Sequence, residues 1–321
     1  MNGVTKPESL INSNGIWTMA TTPTITAVSY LNTIPFVYGL KHADNLRADL
    51  LLAPPADCAL NYIEGKADIA LLPAAVVPEL QDTNIITEYC IGAVSAVRTV
   101  VVVSNTPIER VKRIWLDPHS RTSVQLCGYL AKNRWKIAPE WVAMSDYAVL
   151  NTPQEGDAYL IIGDKVFGYE GMFRYSYDLA VEWREATKLP FAFAVWVARK
   201  GISNEFIDEL QHALTFGVEH IWEAVESSAY MGKDNGLTAY EYLTRNIDFI
   251  LDEPKAFNLA VTNKRNAENI HNSPKNKKVR NRSRARKTHN SDCCDTNPHH
   301  YKSVQRRSMH FYHSKMHAFI A

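Results

Sequence analysis

The apolar residues of this chain fall into two kinds of run. Unbroken runs read as strands buried on both faces: 68–72 (DIALL), 100–103 (four valines), 158–163 (AYLIIG) and 191–198 (FAFAVWVA). Runs with apolar residues three and four apart read as amphipathic helices. Between Ser203 and Val225, the residues Ile207, Leu210, Leu214, Val218, Ile221 and Val225 keep that spacing behind a Ser203 or Asn204 cap. Thr24–Tyr30 predicts a first strand, and Leu50–Ala53 a second. Pro54-Pro55 then opens a helix with Cys58, Ala59, Tyr62 and Ile63 on one side. Further strands are predicted at 85–91, from Trp141 and, as an edge strand, at 177–182. A short helix is predicted within 104–112, and a last helix or helix–strand pair at 238–251. Strand, helix and strand joined by short connections imply a parallel sheet and an α/β fold.

The buried runs at 99–103 and 191–198 bracket a compact α/β segment. This predicts two lobes. Residues 24–103 and 191–256 form a discontinuous one and 104–190 the other, with a hinge at the two crossings and a cleft between them. Residues 1–23 are polar, rich in Asn, Ser and Thr, and read as a disordered leader in which Met19 is a candidate internal start.

Composition changes this picture at one end. The formal net charge is only +1. From Lys264 onward, however, 14 Lys and Arg face three acids, so the body stands near −10 and the tail near +11. Residues 263–300 contain almost no apolar side chain and cannot offset their own ordering entropy. Residues 257–321 therefore read as a basic tail, disordered or aberrant. Three readings stand: an out-of-frame C-terminus, a basic segment that binds nucleic acid, or a metal-binding appendage on Cys293, Cys294 and nearby His. No apolar run approaches the roughly 20 residues that span a bilayer. The first residues lack the apolar core of a secretory signal. The five Cys form no regular framework. Together these predict a cytoplasmic protein with no membrane partner.

The candidate chemistry sits where strands end and helices begin. In 116–135 (LDPHSRTSVQLCGYLAKNRW) a strand turns at Asp117-Pro118 and enters a helix through Ser120, Arg121, Thr122 and Ser123. Free N–H groups, three hydroxyls and a guanidinium then gather at the positive end of the helix dipole, which suits a carboxylate. A capped helix start with a solvated Arg is the plainer reading. Ser29 and Asn32 stand where the first strand ends, the usual ligand-binding end of an open α/β sheet. Arg98 and Thr99 lead into the valine run; Arg98 is read either as a salt bridge to a body acid or as a second carboxylate clamp. Asp164 closes the AYLIIG strand, either as a helix cap or in contact with ligand.

The motifs SYLNTIP (29–35), DIALLP (68–73), CIGAVSAVRTV (90–100), LDPHSRTSVQL (116–126), LIIGD (160–164) and LPFAFAVW (189–196) together resemble the chorismate dehydratase family, first enzymes of the futalosine route to menaquinone. The resemblance covers 24–251 in the family's order. It implies a two-lobed fold like the type II periplasmic-binding proteins. It also implies a carbon–oxygen lyase that converts chorismate to 3-[(1-carboxyvinyl)oxy]benzoate and water with no metal or organic cofactor. On motif position, Asn32, Thr99 and Asp164 are expected in catalysis, and Ser29, Arg98, Ser120, Arg121, Thr122 and Ser123 in substrate binding. The expected partner is a small dicarboxylate, with nucleic acid only through the tail. Asp117, Asp164 and the substrate's own enolpyruvyl carboxylate are the candidate bases, the last slightly preferred. A binding protein of the same fold stays open as an alternative. So do a regulator's effector domain and the sister 1,4-dihydroxy-6-naphthoate synthase, which would be expected to need a catalytic His near the cleft. The family is expected to close with a further apolar helix, and the sequence after Leu251 departs from that.

Overall fold

The computed structural model describes residues 22–232 and 236–256, together with the backbone of two short strands before them. Those strands, β1 (Ser9–Ile11) and β2 (Trp17–Met19), pair antiparallel. They place a small hairpin inside the segment that shows no periodicity. The tail predicted for 257–321 lies outside the described residues.

Two sheets carry the body. The first is built from β3 (Thr24–Val28), β4 (Asp49–Ala53), β5 (Ile69–Pro73), β6 (Thr83–Ala93), β12 (Phe191–Arg199) and β13 (Asp248–Ile250), in the order β13-β6-β12-β5-β3-β4. Around it lie α1 (Ile34–Lys41), α2 (Pro55–Ile63), α5 (Asn204–Glu219), α6 (Ile221–Glu226) and α7 (Leu237–Arg245). The second sheet holds β7 (Val100–Ser104), β8 (Arg113–Leu116), β9 (Glu140–Ala143), β10 (Asp157–Ile162) and β11 (Tyr175–Asp178), in the order β11-β7-β10-β8-β9. Helices α3 (Thr122–Leu130) and α4 (Leu179–Thr187) complete it. In the first sheet β3 pairs parallel with β4 and β5, and in the second β8 pairs parallel with β9 and β10, while β12 joins β5 and β7 joins β10 antiparallel. The result is a two-lobed α/β fold.

Burial follows the pattern of the sequence. β5, β7 and β10 are buried at every position, as unbroken apolar runs require. β4 is an edge strand and leaves Leu51 and Leu52 exposed. The valine run belongs with the second sheet, because β7 pairs with β10 and β11. The chain therefore crosses before Val100, in residues 94–99, and not after residue 103 as the bracketing predicted. The helix predicted for 203–225 breaks at His220, whose φ of −118° and ψ of 44° separate α5 from α6. Upstream of the break, Gly217 faces Gly39 of α1 so closely that a Cβ on either would collide with the other helix's backbone. The short helix within 104–112 is a 3-10 turn, Ile108–Arg110.

Among the described residues, no helix is long and apolar enough to cross a membrane.

Candidate functional site

A cleft opens between the two sheets. Its floor comes from strand ends. Val28, Pro73 and Ile91 end β3, β5 and approach the end of β6; Val100 begins β7, and Ile162 and Gly163 close β10. Two polar walls face each other across it. One is the start of α3 and the other is the turn after β3 with residues of the crossing.

The α3 wall is set by Asp117, which is 1% exposed. Its Oδ1 accepts from the His119 amide at 3.0 Å and from Tyr147 Oη at 2.8 Å. Its Oδ2 accepts from the Ile162 amide at 3.1 Å and pairs with Lys165 Nζ at 3.0 Å. A buried carboxylate holding this many donors is a bracket for the turn and is not placed as a base. The turn delivers Ser120, whose Oγ accepts from the Ser123 amide at 3.1 Å and so caps the helix. Ser120, Arg121, Thr122 and Ser123 all line the cleft. The Thr122 hydroxyl is already engaged: it donates to Phe193 O at 3.0 Å and accepts from the Ala75 amide at 3.2 Å, tying α3 to the opposite sheet. Arg121 is exposed at the lip, and among the described residues no carboxylate pairs with it.

The opposite wall carries Asn32 on a 3-10 turn, Leu31–Thr33, and Thr99 from the crossing. Asn32 Oδ1 accepts from Thr33 Oγ1 at 3.1 Å, so its Nδ2 is the end that donates. Behind both stands Tyr242 of α7, fully buried. Its hydroxyl lies 2.7 Å from Thr99 Oγ1 and also hydrogen-bonds the Asn32 side chain. Burial pushes the Tyr242 phenol above its ordinary value. Tyr30 lines the cleft beside Asn32, and burial, then the Asp117 and Asp164 carboxylates, push its phenol up in the same way. Both phenols are therefore neutral donors at physiological pH and not bases.

The structure thus brings Asn32, Thr99, Ser120, Arg121, Thr122 and Ser123 to one cleft. Three predicted residues stand elsewhere. Ser29 is exposed and does not line the cleft, because side chains alternate along an extended chain and its neighbours Val28 and Tyr30 take the inward positions. Arg98 adopts a left-handed backbone, φ 65°, which turns its side chain away from the cleft. Its Nε and Nη2 donate to Glu170 at 2.7 and 3.0 Å, and the guanidinium lies 5.0 Å from the centroid of the Phe167 ring. This is the salt-bridge reading and not the carboxylate clamp. Asp164 sits behind the cleft wall. Both its oxygens accept from the Leu31 amide at 3.0 Å, and Tyr230 also donates to it.

Tyr30, Tyr230 and Tyr242 escaped the sequence reading as site residues, and Asp117, read there as a candidate base, stands instead as the bracket of the turn. Tyr30 and Asp117 lie inside the quoted motifs SYLNTIP and LDPHSRTSVQL. Tyr230 and Tyr242 lie in segments without a motif, and only the fold brings them in. His119 does not line the cleft; its Nδ1 lies 3.4 Å from Tyr30 Oη. Among the described residues no group of three or more His, Cys, Asp or Glu could hold a metal ion.

Solved structures share this architecture. Protein AF1704 from Archaeoglobus fulgidus aligns at 17% identity and a TM-score of 0.61, covering 77% of this chain and 97% of that one. The Candida albicans CA3427 gene product, described as having the generic periplasmic binding protein fold, aligns at 12% identity and 0.55, covering 77% and 89%. The alkanesulfonate-binding protein SsuA from Xanthomonas axonopodis pv. citri, bound to MOPS, aligns at 12% and 0.54, covering 78% and 94%. At these identities the likeness is one of fold: two lobes of the periplasmic-binding-protein kind around a cleft. The sequence itself goes further. A family profile described as menaquinone biosynthesis matches residues 23–256, which span the two-lobed body from β3 onward, and the chain belongs to that family.

Proposed function

We propose that the protein is a chorismate dehydratase, converting chorismate to 3-[(1-carboxyvinyl)oxy]benzoate and water. The observation that carries this reading is the composition of the cleft. Among its described lining residues the one ionised side chain is the Arg121 cation, set among the Ser120 and Ser123 hydroxyls at a helix start and facing the amide donor of Asn32. Such a lining suits a substrate with two carboxylates that brings its own base.

The chemistry follows from the substrate. The hydrogen on chorismate's ether-bearing ring carbon is vinylogously acidic, since the diene conjugates that carbon to the ring carboxylate. Removing it places charge on an extended enolate. Expulsion of the neighbouring hydroxyl then yields an aromatic ring and water, and aromatisation drives the step. The protein's task is to fix two carboxylates, stabilise the enolate charge and hold the leaving hydroxyl in line. Ser120, Ser123, Arg121 and the first-turn N–H groups of α3 grip one carboxylate. Asn32 Nδ2, backed by Thr99 and Tyr242, donates to the developing charge or to the leaving hydroxyl. The carboxylates nearest the cleft, Asp117 and Asp164, are engaged by internal donors. The substrate's enolpyruvyl carboxylate accordingly takes the proton.

The test is incubation of the purified chain with chorismate, following the diene absorbance and the product mass. Loss of one water supports the reading. Tight binding without turnover would replace it with a small-carboxylate-binding protein. Turnover only of the sister synthase's substrate would move the proposal to that enzyme, with His119 the residue to examine.

A further inference from the structure

We infer that Asp164 is a positioning residue that assembles the cleft only when the two lobes are together. The carboxylate follows β10 in the lobe that carries Ser120–Ser123. The groups it grips belong to the other lobe: the Leu31 amide, through both oxygens, and the Tyr230 hydroxyl. Leu31 is the residue immediately before Asn32, in the same 3-10 turn. The grip therefore falls on the residue adjoining the one whose side-chain amide lines the cleft.

The preceding residue reinforces the grip. Gly163 has a φ of 74°, and a Cβ there would lie 2.8 Å from Tyr30 Cε2, so only glycine lets the Tyr30 ring come this close to the backbone. The Gly163 amide donates to Thr99 O at 2.8 Å. Residues 163 and 164 therefore hold Tyr30, Leu31 and Thr99 from one side, while Tyr242 holds Asn32 and Thr99 from behind. If the lobes part, the Leu31 amide and the Tyr230 hydroxyl lose their acceptor, and the turn that aims Asn32 is released. The binding half of the site on α3 needs no such partner for its cap. Binding and chemistry are thereby separable: substrate meets the α3 wall first, and closure adds the group that acts on the charge.

The role in turnover rests on the dehydratase reading; the grip itself does not. The experiment therefore has two readouts. Amide hydrogen exchange at Leu31 reports the grip without substrate. Asp164→Ala should raise exchange there at least tenfold, whereas Asp164→Asn, which keeps an acceptor for Leu31 and a polar contact for Tyr230, should stay within about threefold of the native chain. With chorismate, Asp164→Ala should lower kcat about 10²-fold, the cost of misplacing an acting group by about an ångström, with KM within about threefold. Asp164→Asn should lose less than tenfold. Rescue by Asn would separate positioning from proton abstraction, which an amide cannot perform. Unchanged Leu31 exchange in the Ala variant, or an Asn variant as inactive as Ala, would overturn the inference. If the Ala variant does not fold, Tyr230→Phe replaces it; several-fold faster exchange at Leu31 supports the grip, and none refutes it. If the native chain does not turn over chorismate, the dehydratase reading fails and the exchange result still decides the grip.

Discussion

Arg98 and Arg121 begin as near twins. Each sits beside a hydroxyl residue where chain passes into a buried element, and each reads as a carboxylate clamp. The structure separates them by what surrounds them. Arg98 stands on a left-handed backbone next to Glu170, which takes both arms of the guanidinium, with Phe167 against its face. Arg121 follows a capped turn at the cleft lip, where among the described residues no acid reaches it. A cation serves a ligand where no internal carboxylate already claims it. Sequence supplies the cation, and the fold decides who receives it.

The largest expected effect comes from the amide donor on the wall opposite Arg121. Asn32→Ala should lower kcat/KM for chorismate by about 10²–10³-fold, as loss of a donor to developing charge does, and steady-state kinetics would show it. A near-native value would remove the cleft from the chemistry altogether. Next comes the bracket that presents Arg121. Asp117→Ala strands a lysine, a phenol and two amides in a buried place, and should cost about 3 kcal/mol or more of stability in denaturant unfolding. The direct contrast is smaller. Arg121→Ala should raise KM about 10–100-fold, the worth of a charge-assisted hydrogen bond. Arg98→Ala should leave KM within about threefold, since its pair with Glu170 is part-exposed and turned from the cleft. Equal effects of the two would erase the distinction drawn above.

The smallest expected effect sharpens the Arg98 side. Asp178 accepts from the Arg98 amide at 2.6 Å and from the Ala180 and Val181 amides, yet burial holds its carboxyl above its ordinary value. The native state therefore binds this proton more tightly than the unfolded state does. The stability it contributes is greatest below the ordinary carboxylate value and is lost as pH rises through the folded one. Thermal melts between pH 3 and 7 should show this slope, and Asp178→Asn should flatten it.

Much of the fold was legible because burial leaves a local mark. Unbroken runs such as AYLIIG and FAFAVWVA are buried along their length, and every polar wall of the cleft sits where a strand ends or a helix starts. The site was half legible for the same reason. Ser120–Ser123 and Asn32 are read from local chain chemistry. What sequence could not place were groups whose meaning is a partner far away in the chain. The Glu170 that claims Arg98 lies 72 residues on, and Tyr242 meets Thr99 across 143. Ser29 falls outside the cleft lining on a simpler point, the alternation that turns every second residue outward.

The position of β12 has a consequence for how the chain is made. In the six-stranded sheet β12 lies between β6 and β5, pairing antiparallel with both. As the protein leaves the ribosome, those two strands emerge first, but the strand that joins them arrives only after the whole second sheet has been synthesised. The second sheet has no such gap, since all its strands lie between Val100 and Asp178. The later-made lobe is thus the first that can finish folding. Through that interval the nascent first lobe holds two apolar strands without their shared neighbour. Translation speed through codons 100–190 then sets how long that vulnerable, unpaired sheet must wait.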